Sequence, residues 1–229
     1  MSAEAAAQPT PPDADASPEL RAALLDTMRA MGAAHLNVGT AGNASVRLPP
    51  PACMLITPSG LPAERSRPED MAVVGTDGNW HGLFAPSSEW QLHRDIYAAF
   101  PDAGAILHAH APFATALACQ RIDIPPFHYM IARFGGSTVR CARYATFGTQ
   151  ALSDAAIAAL HGRSACLLAN HGMVVFGRDL QHALALAIEF ETLCEQYWRT
   201  LQLGPPVLLS AEEMAEIIER FRWYGKPRG

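Results

Sequence analysis

Apolar residues recur at helical spacing in several segments of the chain. The clearest case is Leu20, Leu24 and Met31, which follow Ser17 and Pro18. A serine that can cap a helix and a proline that fits its first turn mark where such a helix begins. We therefore predict a helix over residues 18–34. Similar patterns predict further helices at 89–100, from 112, at 149–161, at 180–203 and at 210–223.

Short apolar runs separated by turn residues indicate β-strands between these helices. The predicted strands lie at 54–56, 71–74, 105–110, near 138–142 and at 165–170. A turn sequence, Thr-Asp-Gly-Asn at 76–79, follows the second run. Clustered strands with helices on either side predict an α/β fold, in which a mainly antiparallel central sheet is flanked by helices.

The two ends of the chain differ in composition. Residues 1–16 are rich in Ala, Pro and Asp, with no basic start and no apolar core that would form a signal peptide. We predict a disordered tail over 1–16 and one folded domain over 17–229. Of the 229 residues, 49% are hydrophobic and 17% are charged, which is typical of a packed globular protein.

Charge, hydropathy and cysteine usage exclude several classes of partner. The net charge of −5 offers no basic surface to nucleic acid. No run of about 18 apolar residues is present, so no membrane segment is predicted. The cysteines are odd in number, widely spaced and set in apolar sequence, which favours the reducing cytoplasm over a disulfide framework. They are Cys53, Cys119, Cys141, Cys166 and Cys194.

Two histidines at the end of the strand predicted at 105–110 can bind one metal ion. His108 and His110 are two residues apart, so both imidazoles lie on the same face of the strand. Such a pair by itself is often structural, and a complete site needs further ligands. Glu89, at a predicted helix start, and His171, between a strand and a glycine, are the candidates. Three imidazoles and a carboxylate suit Zn²⁺, with Mn²⁺ or Co²⁺ as substitutes.

Other folds that carry two histidines at this spacing fit less well. A metal-dependent hydrolase barrel places the pair early in the chain, and a cupin places its glutamate after the pair rather than before it. The remaining histidines are interpreted as core or surface residues, although His93 lies four residues beyond Glu89 on the same helical face. They are His35, His81, His93, His128, His161 and His182.

Small polar residues and glycines form a second group of candidates. They occupy 39–45, 57–60 and 87–88. Each segment alone is typical of a turn. Backbone N–H groups and hydroxyls in such loops can also bind a phosphate dianion without any Lys or Arg. Together with the metal ligands, these segments favour a phosphorylated substrate.

Several of these segments, in this order, resemble the class II aldolase/adducin family, and the resemblance covers the chain from about residue 20 to Tyr224. The matching segments are 37–47, 55–60, 86–90, 108–110, 128–132, 144–149 and 170–172. Two departures are the alanine between the paired histidines and Asn170 before the third histidine.

The resemblance implies an enzyme and assigns its residues. It implies a zinc site of His108, His110 and His171, with Glu89 as a ligand that can leave the metal and act as a base. It implies a catalytic role for Tyr129. The positions that match phosphate binding are Gly42, Asn43, Ser59, Gly60, Ser87 and Ser88, and Tyr224 matches a tyrosine near the aldehyde part of the substrate.

The implied reaction is the reversible cleavage of a ketose 1-phosphate, such as L-fuculose 1-phosphate, to dihydroxyacetone phosphate and an aldehyde. The family forms cyclic homotetramers with sites at subunit boundaries. Three alternatives stay open: a sugar-phosphate 4-epimerase that uses the same ligands, a decarboxylase of the same family, and a non-catalytic adducin-like interaction module. Relatives in the family also accept ribulose, rhamnulose-like, deoxypentulose or methylthio-sugar phosphates, so the resemblance leaves the substrate open.

Overall fold

The computed structural model describes residues 16–50 and 52–223, which form one eight-stranded sheet in the order β4-β3-β2-β1-β5-β8-β7-β6. The strands are β1 Asn43–Arg47, β2 Ala52–Ile56, β3 Ala72–Gly75, β4 Trp80–His81, β5 Ala105–Ala109, β6 Cys141–Ala142, β7 Ala165–Leu168 and β8 Gly172–Gly177. Only β6 and β7 pair in parallel, and the other neighbours in the sheet are antiparallel. The sheet is therefore mixed and mostly antiparallel, in agreement with the predicted α/β fold with a mainly antiparallel central sheet.

Helices cover both faces of this sheet. They are α1 Pro18–Ala33, α2 Trp90–Ala99, α3 Pro112–Gln120, α4 Gln150–Leu160, α5 Leu180–Leu203 and α6 Ala211–Trp223, with 3-10 helices at Pro68–Asp70 and Tyr129–Phe134. Among the described residues, no helix is long and apolar enough to cross a membrane. The six predicted helices are confirmed, and the Ser17 hydroxyl accepts the Leu20 N–H at the start of α1.

The sheet buries apolar side chains on both faces, because successive strand residues point in opposite directions. In β5, Leu107 packs into the core that contains α1, α3 and α5. Its neighbour Ile106 packs into the core that contains α2 and α4. His108 follows at the next even position and so faces the α2 side. The alternation of β5 thus determines towards which helix the first metal ligand projects.

Three strands of the sheet, β1, β4 and β8, were not predicted, and β4 consists of Trp80 and His81 alone. In β1, Asn43 and Ser45 are buried although polar, and from the sequence they were interpreted as part of a loop of small polar residues. β8 begins at Gly172, and a glycine after an apolar run indicates the end of a strand rather than the start of a new one. β1 and β8 pair with β5 on either side.

The proposed tail and domain limits stay predictions. Residues 1–15 lie outside the described part of the chain, whereas Ala16 is buried and its carbonyl accepts the Arg21 Nε–H at 3.2 Å.

The start of β5 is fixed by Gly104. Its carbonyl accepts the Arg47 N–H and its N–H donates to the Gly177 carbonyl, both at 2.8 Å. A Cβ at this position would collide with the backbone carbonyl of Arg178. Because backbone cannot move aside as a side chain can, only glycine permits this approach of β5 to β8.

We expect Gly104→Ala to lower the free energy of unfolding by about 1–3 kcal/mol, the usual cost of overpacking. The matched control is Gly32→Ala in α1, where a Cβ meets nothing within 4 Å. This control should raise the free energy of unfolding by about 0.5–1 kcal/mol through helix propensity. Urea denaturation of both variants measures the difference, and equal values would show that the β5–β8 approach is not constrained at Gly104.

Candidate metal centre

The four predicted metal ligands converge on one point. Glu89, His108, His110 and His171 each offer a ligand atom, and these atoms all lie within 4.8 Å of one another. The Nε2 atom of His108 is 3.0 Å from Nε2 of His110 and 3.0 Å from Oε2 of Glu89. Oε1 of Glu89 is 3.5 Å from Nε2 of His171. Glu89 and His171, more than 80 positions apart in sequence, are thus close enough to bind the same metal ion.

Three elements of the fold position the predicted ligands, because His110 directly follows the strand that contains His108. His108 lies in β5, opposite Asn43 of β1 and Val174 of β8. Glu89 occupies the N-cap position of α2. His171 follows the end of β7, and its N–H donates to the Leu168 carbonyl at 3.0 Å.

The turn that carries His171 requires two unusual residues. Asn170 has a left-handed backbone with φ of 54°, and its Oδ1 accepts the Arg121 Nε–H at 2.6 Å. A Cβ at Gly172 would collide with the Ala109 carbonyl. Asparagine tolerates the left-handed region better than most residues. The Asn-His-Gly sequence therefore matches the backbone that brings His171 to the end of β5.

Helix α3 begins directly after His110 and lacks a cap of its own, because Ala111 stands at its N-cap. Glu191 of α5 supplies the missing acceptor. Its carboxylate accepts the N–H groups of Phe113 at 2.7 Å and Ala114 at 2.8 Å. A carboxylate at a helix N-terminus is stabilised by the helix dipole. The contact fixes the backbone immediately after the second histidine.

The imidazoles present unprotonated nitrogens to the centre. Nδ1 of His108 donates to the Met173 carbonyl at 2.9 Å, so its proton is on Nδ1 and Nε2 carries the lone pair. Burial lowers the pKa of His110, and burial with the nearby His108 lowers the pKa of His171 to about 4. At pH 7 His110 and His171 are therefore available as neutral ligands.

The two oxygens of the buried Glu89 carboxylate differ in their hydrogen bonding. Its Oε2 accepts the Asn43 Nδ2–H at 3.2 Å, while its buried Oε1 has no hydrogen-bond partner among the described residues. Burial raises the pKa of Glu89, but His108, His171 and Asn43 outweigh this effect and hold it below its usual value. The group is ionised at pH 7.

This donor set fits a divalent cation. Lone pairs of several ligands point at one another across about 3 Å, which is the spacing of atoms bound at about 2.0–2.1 Å to a tetrahedral zinc ion. The unpartnered Oε1 supplies a further donor. Three neutral nitrogens and one carboxylate are a zinc-type ligand set, with no thiolate among them.

Three of the four predicted metal ligands, Glu89, His110 and His171, line a cavity of about 330 Å³. All six residues predicted for phosphate binding line it: Gly42, Asn43, Ser59, Gly60, Ser87 and Ser88. The two serine loops are held together because the Ser59 N–H donates to the Ala85 carbonyl and the Ser87 N–H donates to the Thr57 carbonyl. Their role in binding phosphate stays a prediction.

Of the two predicted tyrosines, Tyr129 does not line this cavity. Tyr129 is half-exposed at the start of the 3-10 helix Tyr129–Phe134. It lines a separate cavity of about 460 Å³ with Arg133, Arg220 and Phe221. Tyr224 lies outside the described residues.

Two residues near the centre were not predicted as functional. Phe147 lines the metal cavity and is 62% exposed; its segment was noted as a motif, but no physical signal distinguished the phenylalanine. His93, interpreted as a core histidine, is fully buried and is hydrogen-bonded to Asn43. Its spacing from Glu89 was the available signal.

Comparison with known proteins agrees with the geometry. A family model, the Class II Aldolase and Adducin N-terminal domain, matches residues 22–198. The 5-methylthioribulose-1-phosphate/5-deoxyribulose-1-phosphate aldolase of Rhodospirillum rubrum is 52% identical over 206 residues, with 90% of this chain and 92% of that protein covered. L-fuculose phosphate aldolase of Escherichia coli strain K12 is 43% identical over 203 residues, covering 88% and 94%.

The fold also matches a solved structure. An L-fuculose 1-phosphate aldolase superposes with a TM-score of 0.86 at 39% identity, and the match covers 90% of this chain and 98% of that one. The family model and these relatives span most of the chain, and the resemblance seen in the motifs is confirmed. The protein therefore belongs to the class II aldolase/adducin family.

Proposed function

We propose that this protein is a zinc-dependent aldolase that reversibly cleaves a ketose 1-phosphate to dihydroxyacetone phosphate and an aldehyde. The observation that carries the proposal is the convergence of three histidines and Glu89, with one carboxylate oxygen unpartnered, beside a cavity that serines and glycines also line. The aldolase activities named for the relatives described above support the same reaction class.

His108, His110 and His171, with Glu89, would hold the metal ion. A bound divalent ion supplies Lewis acidity, which stabilises negative charge on the ketose oxygens during carbon–carbon cleavage. Glu89 acts as the acid and base at the carbon beside the carbonyl: it returns a proton to that carbon after cleavage and removes it for synthesis. Its buried position beside the histidines keeps the carboxylate ionised and within reach of the substrate.

The phosphate is proposed to bind at the serine and glycine loops. Gly42 and Gly60 have left-handed backbones, with φ of 74° and 70°. A Cβ at Gly42 would also collide with Asn37. Such turns expose backbone N–H groups, and the hydroxyls of Ser59 and Ser88 add donors. No Lys or Arg is among the described residues that line the cavity, so neutral donors would carry the recognition.

Tyr129 is proposed to act in the site of a neighbouring copy. Within one chain it lines a different cavity from the metal ligands. A role at the substrate therefore requires a second copy that brings Tyr129 to the boundary. This is the arrangement expected for a homotetramer with sites between subunits, and Tyr224 is proposed to lie near the aldehyde there.

The ketose is proposed to carry a small, partly apolar aldehyde fragment. Phe147 offers the cavity an exposed aromatic surface. The relatives described above act on 5-methylthioribulose, 5-deoxyribulose and L-fuculose phosphates. Release of dihydroxyacetone phosphate from each of these would rank them, and recovery of a single isomer instead would identify an epimerase.

Five free cysteines accord with the proposed cytoplasmic location.

Metal removal should abolish cleavage, because the four ligands converge on a site that only a cation completes. Dialysis against a chelator is expected to remove activity, and added Zn²⁺ should restore it. The metal should also raise the melting temperature, since a ligand present at about 100 times its Kd stabilises the folded state by about 2.7 kcal/mol. Full activity with verified metal-free protein would contradict the proposal.

Glu89→Gln should separate metal binding from proton transfer. The three histidines keep the ion, while the amide cannot accept the proton, so exchange of the dihydroxyacetone phosphate proton with deuterated water should fall by about 10²–10⁴-fold. The control Glu69→Gln makes the same charge change at an exposed glutamate. Normal exchange in Glu89→Gln, measured by NMR, would place the base elsewhere.

Tyr129→Phe should slow cleavage by about 10²–10⁴-fold while proton exchange on dihydroxyacetone phosphate survives. The reason is that the phenol would serve only the hydroxyl of the aldehyde fragment. Steady-state cleavage and deuterium exchange measure the two steps, with Tyr144→Phe as an exposed-tyrosine control. Equal losses in both steps would remove the assigned role and make Tyr224 the next candidate.

Mixing the two variants tests where Tyr129 acts. If Tyr129 serves a neighbouring copy, hybrids of Glu89→Gln and Tyr129→Phe contain boundaries with both wild-type groups, and some cleavage should return after co-refolding. Light scattering should show a tetramer. An active monomer, or hybrids without any recovery, would contradict an active site shared between copies.

A further inference from the structure

A chain of buried hydrogen bonds runs from Glu89 into the core between α2 and β1. Nδ2 of Asn43 is 3.2 Å from Oε2 of Glu89, and Oδ1 of Asn43 is 2.6 Å from Nε2 of His93. Nδ1 of His93 is 2.7 Å from Oγ of Ser45, which is 2.8 Å from the hydroxyl of Tyr97. All five side chains are buried.

The chemistry of these groups allows one arrangement of protons. An ionised carboxylate only accepts, so the Asn43 amide must turn its NH₂ towards Glu89 and its oxygen towards His93. That oxygen also only accepts, so the His93 proton is on Nε2. Nδ1 then accepts from the Ser45 hydroxyl, and Ser45 accepts from Tyr97. Every bond of the chain is therefore directed from Tyr97 towards Glu89.

The His93 imidazole is suited to this role because it stays neutral. Burial and the nearby His108 lower the pKa of His93 to about 3, against an opposing effect of Glu89. A neutral ring has one donor and one acceptor, and both are used here. Ionisable or charged groups that face it from the sheet and from α2 are His108, Glu89 and Tyr97.

We propose that His93 is a positioning residue for the reaction: through Asn43 it determines which oxygen of Glu89 is available. The amide, locked by His93, engages Oε2, while Oε1 is left without a partner among the described residues. Without the His93 donor, the Asn43 amide is free to turn over and the carboxylate to rotate. This role rests on the proposed function of Glu89 as the base.

Asn43 was predicted to bind phosphate, but its hydrogen bonds indicate a different role for its side chain. Its carbonyl oxygen and one amide N–H are engaged within the protein. Its side chain is 5% exposed. What remains for a ligand is the second amide N–H at the cavity wall, so positioning of Glu89 is the better-supported role of this side chain.

The test compares two substitutions of His93. His93→Leu removes the donor at similar volume, and His93→Gln supplies both a donor and an acceptor. We expect His93→Leu to slow proton exchange on dihydroxyacetone phosphate by about 10²-fold, the effect of a misplacement of about 1 Å. The KM for that ligand and the Zn²⁺ affinity should stay unchanged. His93→Gln should restore a large part of the lost rate.

Two further variants separate positioning from general stability. Tyr97→Phe removes the hydroxyl at the far end of the chain and its bond to Ser45, but it leaves the Ser45–His93, His93–Asn43 and Asn43–Glu89 bonds in place, so it should lower the melting temperature but not the exchange rate. Asn43→Ala should slow exchange as His93→Leu does, and the double variant should lose no more, because both act through one contact. Additive losses, or equal slowing by Tyr97→Phe, would overturn the role.

A further test uses only the wild-type protein and needs no catalysis, so it remains valid if a variant fails to fold. In wild-type protein labelled with ¹⁵N-histidine, NMR should show His93 as the neutral Nε2–H tautomer, with and without Zn²⁺. The Nδ1–H tautomer or a charged ring would overturn the inference. Absence of exchange in the wild type would overturn the proposed function, and this role with it, whereas wild-type exchange that persists in His93→Leu would overturn the role alone.

Discussion

The register between α2 and β1 is the constraint on which the centre depends. Glu89, His93 and Tyr97 are spaced by four residues on one face of α2, and Asn43 and Ser45 are spaced by two on the facing side of β1. Four residues of helix rise about 6.0 Å and two residues of strand about 6.7 Å. Because these repeats nearly match, the polar side chains of helix and strand meet in sequence, with Glu89 reaching the ligands on β5.

Burying so many polar groups is stabilising only when each has a partner of the right kind. The structure meets this condition by giving each group one direction of hydrogen bonding. His108 donates to the Met173 carbonyl and therefore turns a lone pair to the centre. His93 donates to Asn43 and receives from Ser45. Among the side chains of this hydrogen-bond chain, Oε1 of Glu89 lacks a hydrogen-bond partner, and it is the atom that a metal ion or a substrate proton would engage.

Much of this protein follows from its sequence through short-range rules. Helix periodicity and caps located all six α-helices, because those signals depend on residues three or four apart. The spacing of His108 and His110 placed both on one face of a strand for the same reason. Glu89 and His171 could be chosen as partners, since each stands at the end of an element. These local signals, together with matching motifs, identified the family and predicted the ligand set.

Other features were decided only by tertiary contacts. β1 was not predicted because Asn43 and Ser45 are polar, although both are buried in the structure. Their hydrogen-bond partner His93 lies on α2, and only the folded structure brings it next to them. The function of His93 follows from a neighbour 50 positions away in sequence, so its own surroundings in the sequence resemble those of any core histidine. The separation of Tyr129 from the metal cavity is likewise a product of how distant helices pack. Sequence spacing therefore determined which side chains share a face, whereas the sheet order and the register of α2 on β1 decided which of those faces meet.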